Sequence, residues 1–245
     1  AASGAEGADI LVADAQDAAA LDRLAAGARV VLSTAGPFAL HGSELVAACV
    51  RHGTHYVDIT GETPWVRRLI DRHHDTAAQQ GTRIVPCCGF DSVPSDLGAW
   101  FVARTLWERH GERCRSVKAC FSLRGGFNGG TLASALNLLE AGERAQLQDP
   151  FLLNPFGTVP PHADAHADPV APQRDADFDA WVGPFFMGPV NTRVVRRSAA
   201  LAGGPPYAPD FAYQEWLRFG QGAGAALAAA AFSTALQAGQ GALGF

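Results

Sequence analysis

The sequence predicts an α/β fold built on a parallel sheet. Two observations carry this. Four short apolar runs in the first hundred residues alternate with helical stretches, and the helices end at glycines. The connections have crossover length, so neighbouring strands run parallel and helices cover both faces.

Each element is legible in order. "ILVAD" (10–14) is a short apolar run, followed by an Ala/Leu-rich helical stretch that Gly27 closes. "RVVLSTAGPF" (29–38) is strand and then turn, and the next helix runs from about 42 to 52 and stops at Gly53. "HYVDITGE" (55–62) repeats strand and turn. Thr63 then reads as a helix cap with Pro64 at the first helical position, and that helix runs to Gln80 and stops at Gly81. "RIVPCCGFDSVPSDLG" (83–98) is the fourth strand and loop, with Ser95 expected to cap the helix that follows.

Farther on, an apolar run from Ser116 to Leu123 leads into Gly125, Gly126, Gly129 and Gly130, then into a pattern with Leu132, Leu136 and Leu139 on one helical face. Strand, glycine turn and helix is the layout of a phosphate cradle. The spacing is G-G-x-x-G-G, however, and Thr131 stands where a P-loop needs Lys. Two readings stay open: a tight turn with Thr131 as cap, or amides that face a cofactor or an anionic part of the substrate.

The bulk properties narrow the function. The 245 residues are 48% hydrophobic and 18% charged, as expected of a globular core, and the net charge is −5. No Lys/Arg cluster alternates with aromatics, which excludes a nucleic-acid groove. Cysteines at 49, 87, 88, 114 and 120 form no CxxC pair and read as free thiols in a reducing compartment, so a cytoplasmic location is expected. The chain begins without Met, so targeting is not judged from its first residues.

Two later segments call for a reading. "HADAHAD" (162–168) sets His162, Asp164, His166 and Asp168 at alternate positions, within a Pro-rich stretch over 149–175. It reads as a solvated insertion, and no metal site is expected. His73 and His74 lie in a polar helix and read as surface residues. From Phe219 to Phe245 no residue is charged, and Ala and Gly dominate. Large apolar side chains are sparse there, so a buried or lipid-surface helix is expected rather than a membrane span. Peripheral contact with the inner face of the plasma membrane would suit an acyl-chain substrate.

In open parallel sheets, ligands sit at the carboxyl ends of the strands. The loops leaving those ends read "STAGPF", "DITGE" and "CCGFDSVPSD". Each alone reads as an ordinary turn; three on one edge point to a binding crevice.

"VVLSTAGPFALHGSELVAACVRHGTHYVDITGE", followed by "PCCGFDSVPSDLG", resembles the saccharopine-dehydrogenase-like oxidoreductases, and most of all their trans-acting enoyl reductase branch. The likeness covers roughly residues 9 to 140 well and the remainder loosely. It implies an incomplete Rossmann-like parallel sheet over 1–112 that lacks the family's first, glycine-rich βαβ unit, followed over 113–245 by part of an α+β second domain for the substrate. It implies NADP as cofactor, with NAD open because the element that selects between them lies outside the chain. It places Thr34, Ala35, Gly36, Pro37 and Phe38 along the nicotinamide-ribose side, and Asp58, Gly89, Phe90, Asp91 and Ser92 near the ring.

Hydride transfer needs the nicotinamide held against the acceptor carbon and a proton donor nearby. Candidates on the predicted edge are Tyr56, Asp58, Glu62, Asp91 and Ser92, with Cys87 and Cys88 behind them; Asp96 reads as a helix-dipole partner. The resemblance implies an NADP-dependent enoyl reductase acting on lipid or polyketide-lipid intermediates, a step in glycolipid biosynthesis. A non-catalytic nucleotide-binding or lipid-associated scaffold is the alternative, and a saccharopine-type amino-acid dehydrogenase a weaker one. Oligomeric state is left open.

Overall fold

The computed structural model describes residues 9–122, 144–161 and 166–242. Its first half alternates helix and strand: α1 (Ala18–Ala26), β1 (Val30–Ser33), α2 (Phe38–His41), α3 (Ser43–His52), β2 (His55–Asp58), α4 (Thr63–Gln80), β3 (Ile84–Val85) and α5 (Val93–His110). The three strands form a parallel sheet in the order β1-β2-β3. Gly53, Gly81 and Gly111 end α3, α4 and α5 at φ of 67°, 69° and 70°, a left-handed turn that side chains with a Cβ resist.

Strand alternation builds the core. Val31 and Tyr56 sit side by side on neighbouring strands and face Leu21, Val46, Cys49, Trp65 and Leu69. The same phase carries Ser33 and Asp58 inward at the strand ends.

The second half continues with β4 (Cys114–Phe121), α6 (Arg144–Gln148), β5 (Gln173–Asp175), β6 (Ala180–Pro184), α7 (Gly188–Ala202), β7 (Tyr207–Gly220) and α8 (Gly222–Ala242). Its sheet has the order β4-β7-β6-β5, with β4 parallel to β7 and the other pairs antiparallel. A second core cluster joins Ala99 and Ala103 of α5, Val195 of α7, and Tyr207, Phe211 and Tyr213 of β7. Helix α8 lies on β6 and β7. Its Ala229 and Ser233 are buried where Gly183 lets the helix approach; a Cβ there would lie 3.2 Å from Ser233 Oγ.

Four expectations change. "ILVAD" is not a strand: a strand exists through its ladder, residues 10–14 pair with none of the described residues, and Ile10 and Val12 are 92% and 91% exposed. Helix α4 starts at Thr63 with Glu62 in the capping position, one residue earlier than expected. Helix α5 starts at Val93, so Ser95 is inside it, and its hydroxyl bonds Glu215 instead of capping.

The stretch over 149–175 is solvated only in part: Phe156, Val159 and Val170 are exposed, but its start is buried. Phe151, Leu152 and Leu153 are buried, and the two leucines join the core of the first sheet. Irregular backbone is buried only when its carbonyls find donors. Here arginines supply them: Arg67 donates to Leu152 O and Asn154 O, Arg193 to Leu147 O and Asp149 O, and Arg196 to Pro150 O. His166 is buried against the Phe151 ring, and Asp168 pairs with Arg193. His162, Asp164 and the glycines at 125–130 lie outside the described residues. Among the described residues no three metal-type ligands converge, and no helix is long and apolar enough to cross a membrane.

Candidate functional site

Parallel strands end on one edge, so the loops after β1, β2 and β3 emerge together. Side chains then lace them into a single rim. Glu62, from the loop after β2, reaches the loop after β1: its carboxylate accepts the backbone N–H of Phe38 at 2.9 Å and of Ala39 at 2.8 Å. These are the free amides at the start of α2, where a carboxylate is favoured by both hydrogen bonding and the local dipole. Below this corner, Trp65 packs against the Phe38 ring and donates from Nε1 to Ser43 Oγ at 3.0 Å. Gly42 makes the packing feasible: a Cβ there would lie 2.7 Å from Trp65 Cζ2.

The second lacing joins the loops after β2 and β3. Asp58 Oδ1 accepts from the backbone of Thr60 and of Cys87, each at 3.0 Å, and the Asp58 carbonyl accepts from Cys88 N at 2.7 Å. Gly89 then lies against Ile59, with room for no more than a tight Cβ at 3.3 Å. On the far side, Gly61 faces Val190 and Met187 at the start of α7.

The structure separates the sequence candidates by depth. Thr34, Ala35 and Gly36 are exposed on the rim, Pro37 and Gly89 are half-buried, and Phe38 is buried beneath them. Phe90 stands 90% exposed, with exposed Asp91 next to it and Ile59 across from Gly89. Tyr56 and Asp58 are wholly buried and present no polar atom at the rim surface. Burial raises the Asp58 carboxyl above its ordinary range, against the two amide bonds that lower it. Burial, then the charge of Asp58, drives the Tyr56 phenol far above its own. Each keeps a buried oxygen, Tyr56 Oη and Asp58 Oδ2, without a well-formed hydrogen bond. Cys87 is buried and its thiol is pushed up strongly, chiefly by burial, which makes it a poor nucleophile. Cys88 is exposed and bonds Val85 O.

Ser92 is also buried. Its hydroxyl donates to Asn191 Oδ1 at 2.8 Å, so its hydrogen is committed inside the protein. Asp96 accepts from Ser198 Oγ at 3.0 Å, and burial raises its carboxyl. Two polar residues next to the rim went unread in the sequence, Asn191 and Glu215. The signal for Glu215 was available: Phe211, Tyr213 and Glu215 alternate on one face of β7, which puts a carboxylate in the apolar phase.

The arrangement suits a ligand lying across an edge of exposed backbone, one aromatic ring and one free carboxyl. It does not suit a diphosphate at the start of α2, because Glu62 already fills those amides. No solved structure matches the chain. Residues 1–85 match the saccharopine dehydrogenase NADP binding domain. The chain is 40% identical over 225 residues to the Mycobacterium tuberculosis protein Rv2449c, covering 86% of this chain and 51% of that one. It is 37% identical over 244 residues to the trans-acting enoyl reductase of Mycobacterium ulcerans (95% and 58% covered). It is also 37% identical over 239 residues to that of Mycobacterium leprae (92% and 56% covered). The chain thus spans just over half the length of the curated relatives it matches. The chain is thus similar over residues 1–85 to the saccharopine dehydrogenase NADP binding domain, and over most of its own length to proteins named trans-acting enoyl reductases.

Proposed function

We propose that this protein is an NADP-dependent enoyl reductase, with residues 1–112 on the coenzyme side and 113–245 on the substrate side. The observation that carries the reading is the laced rim, where Glu62 and Asp58 hold three strand-end loops to one edge. The rim fits the nicotinamide-ribose half of NADP: Thr34, Ala35 and Gly36 offer exposed backbone and a hydroxyl, and Ile59 and Phe90 offer apolar faces. The coenzyme, when bound, supplies hydride for the β-carbon of an unsaturated acyl thioester. The protein's share is to hold the acceptor carbon against that edge, exclude water and deliver a proton to the α-carbon.

Asp91 is the free carboxyl on the rim and is our candidate for that proton. Asp58 and Ser92 act from beneath by fixing the loops, and Tyr56 fills the core under them. The substrate class is a lipid or polyketide-lipid acyl thioester on the way to glycolipids. Peripheral contact with the inner membrane face is supported by the uncharged surface of α8, where Leu227 is exposed. Five free cysteines support a cytoplasmic setting. The test is NADPH oxidation by the full-length protein with a trans-2-enoyl thioester. Oxidation coupled to saturated product is expected; none with any enoyl acceptor, despite coenzyme binding, would leave the scaffold reading.

A further inference from the structure

Building on the reading of the rim as the coenzyme-facing edge, we propose that Glu215 is a positioning residue for the Gly89–Ser92 turn and acts through Asn191. Glu215 is fully buried in the middle of β7. Three donors converge on its carboxylate. Ser95 Oγ and Tyr213 Oη donate to Oε1 at 2.5 and 2.7 Å, and Asn191 Nδ2 donates to Oε2 at 2.9 Å. With its amide hydrogens turned to Glu215, Asn191 has its oxygen turned the other way, toward Ser92. That oxygen takes the Ser92 hydroxyl hydrogen.

The chain of bonds has one polarity and joins three elements. Ser92 and Ser95 belong to the start of α5, Asn191 to α7, and Tyr213 and Glu215 to β7. Ser92 stands in the capping position of α5, yet its oxygen accepts no cap bond, and its hydrogen goes to Asn191. The turn before it is closed by Ser92 N and Val93 N donating to Gly89 O, at 3.3 and 3.0 Å. Asn191 is thus the hydrogen-bonding anchor, among the described residues, that holds the end of the turn carrying Phe90 and Asp91 to another element.

A buried carboxylate is costly, and among the described residues none of the hydrogen-bond partners of Glu215 is cationic. An apolar residue would suit the neighbouring Phe211 and Tyr213 better. What an apolar residue would not supply is an acceptor that sets which way the Asn191 amide faces.

The polarity gives a specific test in the full-length protein. In Glu215→Gln one oxygen remains, and the two hydroxyls that donate to Oε1, those of Ser95 and Tyr213, hold it on their side, so the new amide nitrogen meets Asn191 Nδ2 donor to donor. Asn191 must turn over, and Ser92 loses its acceptor. In Glu215→Gln with Asn191→Asp, the carboxylate introduced at 191 accepts from both the new amide and Ser92, which restores the sequence of bonds. Amide hydrogen exchange over residues 89–93 reads the turn directly and needs no turnover. We expect exchange there to quicken on the order of tenfold in Glu215→Gln and to recover in the double variant. We expect kcat for NADPH oxidation to fall by a similar factor while the KM for NADPH changes less than about twofold, with recovery in the double variant. In a Ser92→Ala background, Glu215→Gln should add nothing to either change.

Unchanged exchange over 89–93 in both Glu215→Gln and Glu215→Leu, each folded, overturns the proposal, since leucine offers Asn191 no acceptor in any orientation; so does full additivity of Glu215→Gln with Ser92→Ala. Should Glu215→Gln fail to fold, Ser92→Ala alone must loosen the same amides, and its failure to do so overturns the proposal equally. A wild-type protein that shows the exchange pattern but reduces no enoyl acceptor sinks the functional reading and leaves the positioning claim standing.

Discussion

Glu62 and Phe38 are 24 residues apart in the chain, and the carboxylate of one receives the backbone N–H of the other at 2.9 Å. With the bond to Ala39 N, this fixes the corner after β1 to the loop after β2. Hydrogen bonds to a charged group contribute roughly 1.5–3 kcal/mol each. Glu62→Ala should therefore lower unfolding free energy by about 2–4 kcal/mol, measured by urea denaturation. Glu62→Gln, which keeps one acceptor, should cost about half as much.

Asp58 predicts a pH dependence. Its carboxyl is raised in the folded protein, chiefly by burial, so the folded state holds the proton more tightly than the unfolded state. Its contribution to stability is then greatest below the ordinary aspartate range and is lost as pH rises through the raised value. Asp58→Asn keeps Oδ1 for Thr60 and Cys87 and removes that dependence. The variant should gain on the wild type as pH rises from roughly 4 through the titration of Asp58, with a constant difference beyond it. Denaturation at a series of pH values checks this; a constant difference throughout would refute the assignment.

Gly42 meets Trp65 too closely for a side chain. Gly42→Ala sets a methyl 2.7 Å from Trp65 Cζ2 and 2.8 Å from Phe38 O. Overpacking of this kind costs roughly 1–3 kcal/mol. Thermal unfolding should show the loss, and replacing Trp65 by Leu in the same chain should relieve part of it.

Arg193 is buried and divides its donors between Asp168 and the carbonyls of Leu147 and Asp149. Lysine lacks the planar fork that reaches all three. Arg193→Lys should destabilise by about 2 kcal/mol, and Arg193→Met by about 3 kcal/mol, since Asp168 then keeps the Thr192 hydroxyl and Arg196 at 4.0 Å but loses its close ion pair. Limited proteolysis should then cut first within 147–161.

The first sheet was legible because its punctuation is local. Gly53 and Gly81 end the helices that lead into β2 and β3, and Gly, Pro and Asp mark the loops at the strand ends. Residues 10–14 misled because an apolar run fixes composition but not pairing. The second sheet was harder to read: β4 pairs with β7, whose partner residues lie some ninety positions later, as in Val117 with Tyr213. The buried stretch at 151–153 looked solvated for the same reason, since its carbonyls are satisfied by Arg67, Arg193 and Arg196 from distant helices. Of the site, the rim loops were readable. The depth of Tyr56, Asp58 and Ser92 was not, because the phase of a strand gives a face and not what covers it.

The most direct measurement is NADPH binding to the full-length protein, followed by nicotinamide fluorescence, in the wild type and in Ala35→Trp. Position 35 is exposed on the rim, so the substitution obstructs the edge without entering the core. Weakening of binding by at least about tenfold, with the melting temperature unchanged, is the result expected. Equal affinity in the two proteins would mean that the coenzyme lies elsewhere.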